Sequence, residues 1–175
     1  MARAKHDNDT AFEIYLTGLR NAHALEHQAM GVMQRQIERL ENYPDVLKKL
    51  KEHMKETEQQ AQRLHDILHG FDEDPSKLKD LGGHMMGTLS ALGHSMAGDE
   101  ILKNTFANYA LENFEIASYK SLITLADATK QNDHVKVLEQ SLGEEIAMAS
   151  WIENNIDKVT MRFLTLSEAG KTAKV

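Results

Sequence analysis

The sequence predicts an all-α fold: a four-helix bundle made of two antiparallel hairpins joined by a long crossover that carries short helices. Three observations predict it. The chain is rich in Ala, Leu, Lys, Glu and Gln, with two prolines and only 6% aromatics, a composition that favours helices over strands. Apolar residues recur at three- and four-residue steps along four long segments. Between the second and third segments the pattern is broken by Gly82, Gly83, Gly87, Gly93 and Gly98.

Each element has its own signals. Thr10-Ala-Phe-Glu13 is a capping-box pattern, so the first helix begins near residue 11. It runs to about residue 42, where Pro44 disfavours helical geometry at Tyr43. Such a rod is about 45 Å long. Pro44 opens the second helix and Gly70 closes it, at about 44–69. The tight connection makes the first two helices antiparallel neighbours. Phe71-Asp-Glu-Asp-Pro75 reads as a turn, and the crossover spans 70–98. Asp99 is placed to cap a third helix over about 99–130. Gln131-Asn-Asp133 makes a turn, and the fourth helix spans about 134–160. The tail from Thr165 has no apolar period and is expected to fray. With 175 residues, of which 41% are apolar, a single domain with a sizeable core is expected. Two hairpins joined by one long crossover form the ferritin-like arrangement rather than a simple up-down bundle.

Composition excludes several functions. There is no cysteine, so disulfides, thiolate metal sites and cysteine nucleophiles are ruled out. The formal charge is −7, from 27 acidic and 20 basic residues, with no basic stripe, so nucleic acid is not an expected partner. Met1 to Thr10 has no apolar signal core, and no later apolar run is long enough to span a membrane. A soluble cytoplasmic protein is therefore expected. No Ser-His-Asp arrangement is present, and Gly82-Gly83 is followed by His-Met-Met rather than the Lys-Ser of a phosphate loop.

The chemistry lies in acids on apolar stripes. In the first helix Glu26 interrupts Leu19, Ala22, Ala29, Met33 and Leu40. In the fourth, Glu145 interrupts Leu138, Leu142, Ala149, Ile152 and Ile156. The third places Glu112 and Glu115 in line with Tyr119, Leu122 and Ala126. Desolvating a carboxylate costs several kcal/mol, so a cluster needs protons, basic partners or a metal. Arg20, Arg35, Arg39 and Arg63 lie off these stripes. An oxygen-rich ligand set suits iron, manganese or magnesium. Periodicity leaves two choices open: Glu56 or Glu58 on the second helix, and Glu144 or Glu145 on the fourth. His53 shares a flank with Glu56 and Gln60, where it suits a supporting role better than direct ligation. Among the other histidines, His65 and His69 stand four apart, but the sequence offers them no inward partner.

Glu112-Asn-Phe-Glu115-Ile-Ala-Ser-Tyr119-Lys-Ser-Leu, Leu125-Ala-Asp127, Ala24-Leu-Glu26-His-Gln, His53-Met-Lys-Glu56-Thr-Glu58 and the Glu144-Glu145 pair resemble the YciF/YciE family of bacterial ferritin-like proteins. The resemblance covers roughly residues 13–155. It implies a stress-associated protein, a homodimer, and a rubrerythrin-like dinuclear site of iron, with manganese as the alternative. Carried over residue by residue, the metal site comprises Glu26, His53, Glu56, Glu112, Glu115, Glu144 and its neighbour Glu145. Glu56 and Glu144 are expected to bridge two ions about 3.5–4 Å apart, and Glu26 and Glu115 to act as terminal ligands. Such a centre implies reaction with oxygen or peroxide. The sequence departs from the di-iron pattern in lacking Glu-x-x-His on its second and fourth helices. This leaves a second reading: a helical structural or interaction protein with a degenerate or purely stabilising metal site. Apolar residues on several faces of the first and third helices also point to self-association.

Overall fold

The computed structural model describes residues 10–71 and 98–175. Four helices account for most of them: α1 (Thr10–Arg39), α2 (Pro44–Gly70), α3 (Glu100–Ala128) and α4 (Asn132–Glu168). The expected crossover and its short helices fall on residues 72–97, outside the described residues. Each helix packs on two others, so that α1, α2, α4 and α3 follow one another around a square. No helix among the described residues is long and apolar enough to cross a membrane.

Side-chain pairings fix the helix directions. Gln36 meets Asn108, Glu26 meets Tyr119, and Tyr15 meets His134 beyond the end of α3. The residue numbers on α1 fall as those on α3 rise, so these helices are antiparallel. Arg63–Glu144 and Asp45–Lys158 show the same for α2 and α4. It follows that α2 and α3 run the same way. The end of α2 and the start of α3 thus lie at opposite ends of a bundle about 40 Å long. A hairpin turn cannot join them, and that is the physical reason for a long crossover in this arrangement.

The core divides along the bundle axis. At one end Phe12, Tyr15, Leu16, Leu19, Leu64, Leu68, Tyr119, Leu122 and Leu138 form an apolar cluster. Toward the other end Leu25, Ala29, Met33, Leu50, Leu111, Met148 and Ile152 form a second. Between them lies a layer of buried polar side chains from all four helices. Within the first cluster α1 and α3 approach closely: a Cβ placed on Gly18 would come within 2.9 Å of Leu122 Cδ2.

Two expectations about helix ends are corrected. Asp99 stands at the start of α3, but its carboxylate does not cap the helix; it pairs with Lys103 at 2.8 Å. The tail does not fray from Thr165. Instead α4 continues to Glu168, because Val159, Phe163 and Leu166 extend its apolar face onto Tyr43 and Ile101. Gly170 (φ +64°) then ends it, with Lys171 N–H donating to Leu166 O at 2.9 Å. This is the glycine-terminated stop common at helix C-termini. Beyond it the chain docks through its own backbone. Tyr43 Oη donates to Ala173 O at 2.5 Å, Asn42 Nδ2 to Thr172 O at 2.9 Å, and Asn42 N–H to Val175 O at 3.2 Å. Deleting Lys171 to Val175 is expected to cost about 2 kcal/mol, lowering Tm by about 4–8 °C in a far-UV circular dichroism melt. An unchanged Tm would show that these contacts do not hold the tail.

Candidate metal centre

Regular helical steps place one set of side chains in the central layer. From α1 comes Glu26. From α2 come His53, Thr57 and Gln60, which lie between Leu50 and Leu64 on the inward line at steps of three and four. From α3 come Glu112 and Glu115, followed one turn later by Tyr119. From α4 come Ser141 and Glu145. Every one of them is buried, with Glu145 and Gln60 fully enclosed.

His53 is the hub. Its Nε2 lies 3.2 Å from Glu112 Oε2 and 3.8 Å from Glu145 Oε2. Ligand atoms of His53, Glu112 and Glu145 all fall within 4.8 Å of one another. On its other side, His53 Nδ1 is 3.0 Å from Glu56 Oε2. A carboxylate accepts, so Nδ1 carries a proton toward Glu56, and a cation in the layer would take the place of a proton on Nε2. Nearby, Tyr119 Oη donates to Glu26 Oε1 at 2.5 Å. Burial and the adjacent Glu26 raise the Tyr119 phenol far above its ordinary value, which keeps it a donor.

The glutamates are short of partners. Glu112 Oε2, Glu115 Oε1 and both oxygens of Glu145 are buried without a hydrogen bond, as is Gln60 Oε1. Among the described residues, no lysine or arginine pairs with Glu26, Glu112, Glu115 or Glu145. The titration behaviour follows. Burial pushes Glu26 up to about 7, opposed by its Tyr119 hydrogen bond and by His53. Burial, then the charges of Glu26 and Glu112, hold Glu115 well above the ordinary carboxylate range. Burial and the neighbouring Glu115 and Glu112 also push Glu145 far above the ordinary carboxylate range. Burial alone would lower His53, but the carboxylates of Glu112 and Glu56 outweigh it and raise the imidazole. Without a cation this layer holds protons at neutral pH, shared among coupled carboxyls.

The choices left open by periodicity are resolved as placements. Glu58 faces solvent, while Glu56 sits at the rim, about a third exposed (36%), against His53. Glu145 turns inward and Glu144 does not. Both oxygens of Glu144 are taken by Arg63, at 2.7 and 2.9 Å, and Gln60 Nε2 donates to it at 3.0 Å. The bridging positions expected for Glu56 and Glu144 are therefore edge positions. Ser141 and Arg63 were not singled out as site residues. Ser141 leaves no trace in the apolar pattern, and the Arg63–Glu144 pair joins two helices whose wheels are read separately. The donor set of one imidazole and clustered carboxylates fits a hard or borderline divalent cation, and the orphaned oxygens are what such an ion would satisfy.

A family described as "Domain of unknown function (DUF892)" matches residues 10–165. Three solved structures share the fold. A protein from Xanthomonas campestris pv. campestris is 25% identical, with a TM-score of 0.76 over 91% of this chain and 99% of that one. YcfI, described as a putative structural protein from Rhodopseudomonas palustris, is 26% identical, with a TM-score of 0.65 over 85% of this chain and 96% of that one. The Escherichia coli stress protein YciF is 19% identical, with a TM-score of 0.68 over 85% of this chain and 95% of that one. At that identity the likeness to YciF speaks to the fold alone. With its motifs, its bundle and a match across nearly all its length, this chain belongs to the DUF892 family, with YciF among its structural relatives.

Proposed function

We propose that the central layer is a dinuclear metal centre, holding iron or alternatively manganese, in a stress-response protein that reacts with peroxide or oxygen. One observation carries this reading: four buried glutamates converge on one layer, and several of their oxygens have no partner within the protein. His53, Glu112 and Glu145 would hold one ion, and Glu26 and Glu115 a second. In this assignment Glu145 takes the inward role that the family resemblance gave to Glu144. Bound iron would supply redox chemistry toward oxygen or peroxide. The chain's own residues orient and protonate: Glu56 fixes the His53 tautomer, Tyr119 aims Glu26, and Glu115 and Glu145 release protons as a cation enters.

A second reading keeps the metal but removes the turnover. The missing Glu-x-x-His motifs, the capture of Glu144 by Arg63 and the description of YcfI as a putative structural protein favour a site that only stiffens the bundle. Peroxide consumption by iron-loaded protein distinguishes the two. Turnover lost in Glu145→Gln supports the redox centre, and absent turnover with a metal-dependent Tm supports the stiffening role. A cytoplasmic homodimer completes the proposal. It is supported by Ile14 on α1 and by Phe106 and Phe114 on α3, large apolar side chains that are each at least half exposed (52–53%).

Three outcomes are expected. Protein expressed without chelator carries at least about one iron or manganese ion per chain by elemental analysis; less than about one per two chains contradicts the proposal. In metal-free protein at neutral pH, Glu145→Gln raises stability by about 1 kcal/mol or more, because a carboxyl that must take up a proton to be buried is replaced by a group that is already neutral. The same change abolishes the rise in Tm on adding metal. A variant that loses stability without metal argues that Glu145 is already well paired.

The third outcome concerns pH. Glu26 rises from 4.5 to about 7, and Glu115 and Glu145 are likewise held well above 4.5. Across that window the folded chain binds more protons than the unfolded chain, so stability is present below the unfolded value and is lost as pH rises. His23, lowered from 6.5 to about 4, acts oppositely, but only below 6.5. The Tm of metal-free protein is therefore expected to fall between about pH 6.5 and 8.5, and metal is expected to abolish the fall. A flat or rising profile contradicts the assignment of raised carboxyls.

A further inference from the structure

The α1–α2 hairpin carries a second set of ligand-type side chains, separate from the carboxylate layer. His23 and His27 stand one turn apart on α1, and His65 and His69 one turn apart on α2. Spacing of four puts each pair on one helix face, and antiparallel packing brings His23 level with His65. The rings of His23 and His65 are 6.2 Å apart between centroids. Those of His65 and His69 are also 6.2 Å apart and nearly parallel. His23 and His27 meet edge to face at 4.6 Å, with their Nε2 atoms 3.3 Å apart.

That last distance is informative. Two imidazole nitrogens bound tetrahedrally to one zinc, at the usual bond length, are separated by about 3.3 Å. With two Nε2 atoms in contact, one must carry a proton that the other accepts, and a metal ion can replace that proton. On the facing helix, His65 Nδ1 lies 3.4 Å from Asp66 Oδ1, and Asp66 accepts a hydrogen bond from Gln62 at 2.7 Å. A carboxylate behind Nδ1 leaves Nε2 as the free ligand atom, the usual support for a metal-binding histidine. His23 is buried, His65 half-buried, and His27 and His69 are exposed, so the cluster is open to ions from solvent.

We propose that His23, His27 and His65 form a site for a divalent ion of the zinc, copper and nickel class, clipping α1 to α2. An all-nitrogen donor set favours these ions, whereas the oxygen-rich central layer favours iron or manganese. Two kinds of ion would then be sorted by ligand chemistry within one bundle. His23 and His27 already have the separation needed. His65 reaches the shared position by rotating a partly exposed side chain.

The test is a calorimetric titration of zinc alone into chelator-treated full-length protein. Glu145→Gln serves as the background, so that binding at the carboxylate layer does not contribute. One zinc per chain is expected, and adding His27→Gln or His65→Gln is expected to weaken it by more than ~10-fold, with Asp66→Asn weakening it by ~10-fold. In the unmodified chain, zinc should shift the imidazole resonances of His23, His27 and His65 in NMR spectra. Zinc affinity unchanged by the histidine substitutions, or resonances that do not move, would overturn the proposal. Neither result depends on whether the central layer binds iron.

Discussion

Charge burial in the middle of the bundle is the constraint on which the rest depends. Glu26, Glu112, Glu115 and Glu145 share one layer between two apolar clusters. Desolvation of each costs several kcal/mol unless a proton or a cation compensates it. Long helices are what make the layer possible, because they extend far enough to close apolar packing above and below it. The directions of α2 and α3, and hence the long link between them, let each helix present its inward face at the same level. His53 and Tyr119 have value here as orienting groups: one contacts two of the acids, and the other donates to a third.

Elsewhere among the described residues, several buried polar groups are satisfied internally. Gln36 and Asn108 exchange two amide hydrogen bonds, at 3.0 and 2.8 Å. Arg39 holds the buried Glu100 through two nitrogens, at 2.9 and 2.8 Å. Arg63 does the same for Glu144 at the edge of the layer. The unpartnered oxygens are therefore not a general looseness of packing; they are concentrated where four helices converge. Stability is given up at that level, as it commonly is where a protein keeps a binding site.

Much of the fold was legible in the sequence, because a 3.6-residue period over some thirty positions leaves little choice of element. The inward course of Glu26, Glu112 and Glu115 was legible for a related reason: each lies on an otherwise apolar stripe. The second helix was harder to read. Its apolar line passes through Thr57 and leaves His53 and Gln60 on one flank beside Glu56, whereas the structure buries both of them in the central layer. Glu144 and Glu145 sit about 100° apart on the wheel, and only Arg63, contributed by another helix, separates their roles. The docked tail was invisible because its contacts use backbone carbonyls, which carry no side-chain signature. The meeting of His23 and His65 was hidden for a similar reason, since it depends on how α1 and α2 pack.

Anomalous scattering at the iron and manganese absorption edges, from a crystal of protein never exposed to chelator, tests the central claim most directly. The account predicts peaks inside the bundle, the strongest among His53, Glu112 and Glu145. A map with no peak there, and with Glu115 and Glu145 hydrogen-bonded as neutral acids, would contradict it and leave a proton-filled helical scaffold.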